Sequence, residues 1–376
     1  MYKAVVVGSD HINCLSVIRG LGKKRISFFV FLVCDKKPEL CIKSKYIKNN
    51  YKVTNLLNLE EELIGFGMQL EEKIPIFPCG DSEAYIIDNK LDTFCNYYLC
   101  PNIAFEQGRI CEMMDKYEQN LLAKEIEIPM AKTSIFQIDD LDSMQDCIDY
   151  PVVIKPRISA FGHKSDIQKV SNENELQQVI RQYKNKGYKE VLIQEYIEMD
   201  YECTFFGYIG RNIPIECTGV KKIYKWPPNG PSAVFSHTID VPEEVSRLLK
   251  YIQKIGYEGM FDLEVFVVGK LVYLNEINFR HTGLGYIDLS CENNAPYDMY
   301  RYYMGMGTFS RKRVKKAIYA INSLGMFAML KAKKISMKEL VVAEIKSKSH
   351  STFEMSDLSG SLRIIIMMIC NHFAKK

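Results

Sequence analysis

The segments Phe261-Asp262-Leu263-Glu264 and Leu274-Asn275-Glu276-Ile277-Asn278-Phe279-Arg280 hold the densest group of residues able to do chemistry. In an extended chain alternate residues share a face, so Glu276, Asn278 and Arg280 point one way while Ile277 and Phe279 turn to a core. Asp262 and Glu264 share a face of the preceding run. Two carboxylates and an amide oxygen converging across a hairpin make a hard, all-oxygen site. That suits Mg²⁺, an ion that keeps waters and takes phosphate oxygens from a nucleotide. The pairing carries a geometric demand. A two-residue turn at Gly269-Lys270 puts Glu264 and Glu276 on opposite faces, so joining them requires an odd loop or a bulge. The competing reading is a solvated strand face that carries acids by chance. Polar Asn275 and Arg280 at the end of an otherwise apolar run, Leu271–Leu274, weigh against it.

Lys155 ends the run Pro151-Val152-Val153-Ile154-Lys155-Pro156. A lysine at a strand end can reach phosphate oxygens as a point charge. Lys116 offers the same from a helix that Asp115 opens. Read singly, each is a surface charge, where most lysines sit. The run Gln194-Glu195-Tyr196-Ile197 closes another strand, whose main chain can pair with an adenine edge. Glu202, further on, can accept from ribose hydroxyls. The plain alternative is a strand with a charged end. The turn Gly8-Ser9-Asp10 lacks the full glycine set of a phosphate cradle and reads as an ordinary turn between strand and helix.

In this order, Asp115-Lys116, Pro151–Pro156, Gln194–Ile197 with Glu202, Glu264, and Glu276–Arg280 resemble the ATP-grasp superfamily over about residues 75–305. The phrase Asn275–Gly283 followed by Asn294-Ala295-Pro296 looks most like the carboxylate–amine ligase branch that includes D-aspartate ligases of cell-wall synthesis. The resemblance implies ATP and Mg²⁺ as cofactors. It places Lys116 and Lys155 on the phosphates, adenine against Gln194, Glu195, Tyr196 and Ile197 with main-chain bonds at Gln194 and Ile197, and ribose on Glu202. Glu264, Glu276 and Asn278 match the metal ligands, and Arg280 matches an arginine beside the transferred phosphate. One departure stands out. The loop after Lys155, Arg157-Ile158-Ser159-Ala160-Phe161-Gly162-His163-Lys164-Ser165, has a single glycine where several usually close over the phosphates. Arg157, Ser159, His163 and Lys164 are the candidate substitutes.

The chemistry that follows is activation of a carboxylate as an acyl phosphate and its capture by an amine to give an amide. The acceptor is expected to be a metabolite or a cell-wall or surface-glycan precursor. The alternatives are a bicarbonate-activating carboxylase or carbamoyl-phosphate-type synthetase, and a nucleotide-binding protein without catalysis. No covalent nucleophile is needed, so the cysteines receive no role. His281 reads as a local hydrogen-bonding residue, His237 receives no role, and Tyr286, Tyr297 and Tyr300-Arg301-Tyr302-Tyr303 read as helix and core residues.

The elements that must position these residues suggest an α/β (α+β) chain. Ala4–Val7, Ile26–Val33 and Ile74–Pro78, alternating with helical stretches, predict an N-terminal parallel α/β domain over 1–105. An ATP-grasp domain follows over 106–305. It comprises a helical connector (106–150), a small lid subdomain (151–200) and a large subdomain (201–305). Residues 220–235 read as a loop able to cover a substrate. A mostly helical C-terminal region spans 306–376.

Composition sets outer limits. The chain has 376 residues, 47% of them hydrophobic and 25% charged, with a net charge of +3. These values suit a globular protein of two or three packed units and exclude collagen, a disulfide scaffold and a nucleic-acid coat. Residues 306–376 carry fourteen Lys/Arg against four Asp/Glu, so the positive charge is concentrated there. That region is read either as a solvated helical face or as one contacting a membrane or a lipid-linked acceptor, with Lys331, Lys333 and Lys334 beside Met326–Leu330. The twelve cysteines form no CxxC motif, which argues against zinc. With no signal-peptide layout and no long apolar run, the expectation is a cytoplasmic protein, with a homodimer as the default assembly.

Overall fold

A computed structural model describes residues 2–139, 148–158, 166–227, 233–307, 312 and 316–374. The chain divides into two compact units. The larger takes Met1–Ile110, Thr204–Asp262 and Asn278–Lys376; the smaller takes Cys111–Cys203 and Leu263–Ile277.

The larger unit begins with β1 (Ala4–Gly8), α1 (Ile12–Lys23), β2 (Phe28–Val33), β3 (Tyr51–Thr54), α2 (Leu56–Gly67) and β4 (Ile74–Pro78). It continues through α3 (Asp81–Asn89), α4 (Leu91–Phe94), β5 (Tyr98–Leu99) and β6 (Asn102–Ile103). β1 to β5 form the expected parallel sheet in the order β3-β2-β1-β4-β5. Alternation along β1 explains its unbroken apolar sequence. Ala4 and Val6 enter one core with Leu15 and Ile18 of α1, while Val5 and Val7 enter another with Leu59 and Leu63 of α2. A strand buried on both faces needs no polar positions.

The smaller unit follows with α5 (Arg109–Met113, which begins just before the boundary), α6 (Lys116–Glu125), β7 (Thr133–Gln137), β8 (Val152–Lys155), β9 (Gln168–Val170), α7 (Glu173–Asn185) and β10 (Glu190–Glu195). Its sheet is antiparallel in the order β7-β10-β8-β9. Leu176, Val179 and Tyr183 of α7 close a core with Val152, Ile154, Val191 and Ile193. The presence of β7 corrects the helical reading of 106–150. Thr133–Gln137 runs beside β10, pairing Ile135 with Leu192, and tertiary pairing decides the conformation of so short a segment.

Three strands pass from one unit into the other along the chain: β11 (Tyr201–Ile209), β14 (Tyr257–Val268) and β15 (Leu271–Asn278). Between them lie β12 (Glu216–Lys225), β13 (Ala233–Ile239) and α8 (Glu243–Lys254). The rest of the larger unit is α9 (Tyr286–Ser290), α10 (Ala295–Tyr303), β16 (Tyr319–Ile321), α11 (Ser323–Lys331), α12 (Met337–Lys346), β17 (Ser347–His350) and α13 (Leu358–Ala374).

One further expectation is corrected here. Residues 220–235 are chiefly an antiparallel hairpin, with Val220 paired to Thr238 and Lys225 to Ala233, rather than a covering loop. Residues 228–232 lie outside the described residues. The Pro-Pro-Asn-Gly-Pro run dominates the sequence there, and the flanking alternation is what pairs. The C-terminal region is mostly helical, as expected, and adds two short strands. β16 pairs with β13, and β17 runs parallel to β16, extending a larger-unit sheet. Among the described residues no helix is long and apolar enough to cross a membrane.

Candidate active site

In the smaller unit Asp115 caps α6, accepting from the Tyr117 N–H at 2.8 Å, and so presents Lys116 on the first turn. Lys116 is buried, and its Nζ lies 3.3 Å from Glu276 Oε1. Lys155, at the end of β8, is also buried. Burial pushes its ammonium down to about 8; the Lys116 charge acts the same way, and Glu276 and Glu264 pull it back up. Neither lysine is the surface charge that its sequence alone suggests. Two ammonium groups are thus held with two carboxylates that offset their like-charge repulsion, and a phosphate could take the place of a carboxylate on either lysine.

The hairpin of β14 and β15 turns at Gly269-Lys270, with Gly269 at φ +58°, so only two residues separate the strands. Across it, Asn275 Nδ2 donates to Glu264 Oε2 at 3.4 Å. Glu276 is committed to Lys116 instead. The two acids therefore do not face each other as a simple pair; they share Lys155 as a charge neighbour. Backbone bonds hold the strand in place. Ile277 and the Gln119 side chain exchange bonds of 2.9 and 2.8 Å, and the Leu274 N–H donates to the Pro129 carbonyl at 2.7 Å.

At the end of β10, Gln194 is buried and donates from Nε2 to Thr133 Oγ1 at 2.8 Å. Its backbone lies between Thr133 and Val153, inside the ladder. Glu195 is exposed, and its N–H donates to Lys132. The Tyr196 N–H donates to Pro151, and the ammonium of Lys169 lies 3.6 Å from the centre of its ring. Ile197 lies past the strand end and is half-buried, whereas Glu202 is buried. Ile197, rather than Gln194, thus has its main chain beyond the ladder. Arg157 is bound to Asp115 at 2.6 Å and Glu190 at 3.2 Å. Ser159, His163 and Lys164 lie outside the described residues.

In the larger unit Arg280 is buried between two carboxylates. Its Nε meets Asp81 Oδ1 at 3.0 Å and its Nη1 meets Asp262 Oδ2 at 2.7 Å. Burial opposes its charge, but Asp81 and Asp262 more than compensate and raise its pKa. Asn278 donates to the Asp262 carbonyl at 3.3 Å. His281 hydrogen-bonds Ser16 at 2.7 Å, and Tyr286 and Tyr300 are core residues. Near Arg280 sits Glu83, which burial pushes up to about 7; Asp81 adds to the rise, while backbone N–H donors and Arg280 oppose it. The sequence reading gave Asp81 and Glu83 no role. The signal was there, in acids opening a helix directly after a parallel strand. Among the described residues no group of three or more His, Cys, Asp or Glu is arranged to hold a metal. An ion at Glu264 and Glu276 would therefore draw on amide, water or phosphate oxygens as well.

A family model for the ATP-grasp domain matches residues 121–295. The fold has the ATP-grasp arrangement, and the stretch that the family model matches lies within it. A formate-dependent phosphoribosylglycinamide formyltransferase of Sulfolobus acidocaldarius is 25% identical over 226 residues, covering 56% of this chain and 55% of the relative. The chain spans about half the length of the curated relatives it matches. Carboxyaminoimidazole ribonucleotide synthase from Aspergillus clavatus, solved with ATP, superposes with a TM-score of 0.67 at 12% identity, covering 89% of this chain and 87% of that one. The biotin carboxylase domain of Hydrogenobacter thermophilus 2-oxoglutarate carboxylase, solved with MgADP, ADP and bicarbonate, gives 0.64 at 17% identity, covering 85% and 74%. The D-aspartate ligase likeness finds no counterpart in these relatives. Part of the phrase that suggested it is structural: Asn294 caps α10 and donates to the Gly20 carbonyl at 2.8 Å.

Proposed function

We propose that this protein is an ATP- and Mg²⁺-dependent ligase that phosphorylates a small carboxylic acid and delivers the acyl group to an amine. The observation carrying the reading is the cluster of buried Lys116 and Lys155 with half-buried Glu264 and Glu276. Two buried lysines in one place are costly to keep charged, and here Glu276 and Glu264 offset that cost in the absence of a phosphate. Lys155 and Lys116 would hold the triphosphate, Gln194–Ile197 the adenine and Glu202 the ribose. A metal ion would draw on Glu264, and on Glu276 once a nucleotide phosphate takes Lys116 from it, with amide, water and phosphate oxygens completing its shell. When bound, the ion neutralises phosphate charge. Arg280 is the candidate for steadying the oxygens that gain charge at the acyl centre, with Asp81 and Asp262 orienting it until then.

The one-carbon branch of this chemistry has the better support. The relatives bear names in which formate, a carboxyamino group or bicarbonate appears, and two name a phosphoribosyl or ribonucleotide compound. The amine acceptor is therefore proposed to carry a sugar phosphate, and the acid to be formate or bicarbonate. An amino-acid substrate, with a cell-wall precursor as acceptor, is the second arm of the same test. It rests only on the Asn275–Gly283 phrase.

Phosphate release from ATP by the purified protein decides among these when formate, bicarbonate and each amino acid are supplied in turn with hydroxylamine. Release that depends on formate or bicarbonate, with the trapped product seen by mass spectrometry, is expected. Dependence on one amino acid transfers the assignment to amide ligation of amino acids. Nucleotide binding with no release under any acid overturns the enzymatic reading.

A further inference from the structure

We infer that the outward faces of α11 and α12 form a docking surface for an acidic lipid bilayer. Both helices bury one side in a single core. Met326 and Met329 of α11, and Leu340 and Ala343 of α12, pack with Val234, Phe235 and Ile321. α11 lies against β13 and α12 against β16, which are neighbours in one sheet, and the two helices touch each other. Their opposite faces therefore look the same way, into solvent. A surface helix normally carries polar residues there. Here Leu324 and Phe327 of α11 and Met337, Val341, Val342 and Ile345 of α12 are all exposed, from 39% at Val342 to 79% at Ile345. A contiguous apolar patch of this kind marks an interaction site.

The charges around the patch choose the partner. Between Ser323 and His350 there are six lysines and two glutamates, and every one of those lysines is exposed. Neither glutamate is idle. Glu339 closes the capping box with Ser336 and accepts from Tyr224, and Glu344 lies 3.8 Å from His350. Lysine stems can lie along an apolar face while their ammonium groups reach phosphate headgroups. A second copy of the chain fits less well, because an isologous contact would bring lysine onto lysine.

Co-sedimentation with phosphatidylcholine vesicles, with and without phosphatidylglycerol, tests this independently of catalysis. The full chain is expected to sediment only with the anionic vesicles. Replacing Lys331, Lys333 and Lys334 by Gln should weaken that partitioning on the order of a hundredfold. Phe327→Ser with Ile345→Asp should weaken it on the order of tenfold or more, with melting temperature and ATP turnover unchanged because both side chains are exposed. Equal binding to neutral vesicles, no binding to either, or full binding by either variant overturns the inference. So does a dimer in sedimentation velocity that the Phe327/Ile345 variant abolishes, since the patch would then belong to a second copy.

Discussion

Lys155 keeps its ammonium in a place that disfavours it, and this makes pH a probe of its role. Its pKa sits at about 8, below the ordinary lysine value, because burial and Lys116 both favour the neutral form. If it must be charged to hold phosphate, kcat/KM for ATP falls as pH rises through 8, roughly tenfold per unit beyond it. A profile flat to pH 9.5 would remove Lys155 from nucleotide binding. Glu276 gives a second prediction. Because it is bound to the buried Lys116, Glu276→Ala should abolish phosphate release and also cost about 1–3 kcal/mol in urea unfolding. Wild-type turnover in this variant would return the cluster to a structural role. Glu83 works in the opposite sense to an ordinary surface acid. Its folded pKa of about 7 exceeds the unfolded value, so the fold loses stability as pH rises from about 4.5 to 7. Glu83→Gln should therefore raise stability by about 1–3 kcal/mol at pH 8 and leave it unchanged at pH 4. Equal melting temperatures at pH 8 would show that the carboxyl titrates normally.

The helices that were legible in sequence carry their own end signals. Asp115, Asn172 and Ser336 each cap a helix through the side chain, and α7 and α8 show apolar stripes. β7, β16 and β17 were not legible, because three- to five-residue strands are set by their neighbours rather than by their own period. One stitch between distant parts of the larger unit also has no local signature. Arg19 on α1 is buried, and its Nε lies 3.0 Å from Asp357 Oδ2, with Ser361 and the carbonyls of Ser351 and Thr352 completing the set. The same carboxylate accepts from Ser44 and the Lys45 N–H. Removing one member of a buried pair strands the other. Asp357→Ala should cost about 3–5 kcal/mol, read as a lower urea midpoint at unchanged slope. A loss under 1 kcal/mol would mean that water reaches Arg19.

At the scale of the whole molecule, several of the candidate site residues stand at element ends that the sequence marks: Lys116 opens α6, Lys155 ends β8 and Asn278 ends β15. The commitment of each side chain is not so marked. Nothing in the sequence says that Arg280 is clamped by Asp81, almost two hundred residues earlier, or that Asn275 rather than Glu276 meets Glu264. The smaller unit is assembled from two separate stretches, Cys111–Cys203 and Leu263–Ile277. Residues 111–203 alone lack Glu264 and Glu276, the Gln119–Ile277 bonds and the bridge from Met130 to Leu274. That fragment should show no thermal shift with ATP, whereas the full chain shifts by several degrees at saturating nucleotide. A shift in the fragment would place nucleotide affinity in the sheet of β7 to β10 alone. The split also imposes a schedule on biosynthesis. The acidic half of the cluster leaves the ribosome long after the basic half, so Lys116 and Lys155 wait for their counter-charges through the making of some hundred intervening residues. A truncated translation product would thus carry both lysines without the carboxylates of Glu264 and Glu276.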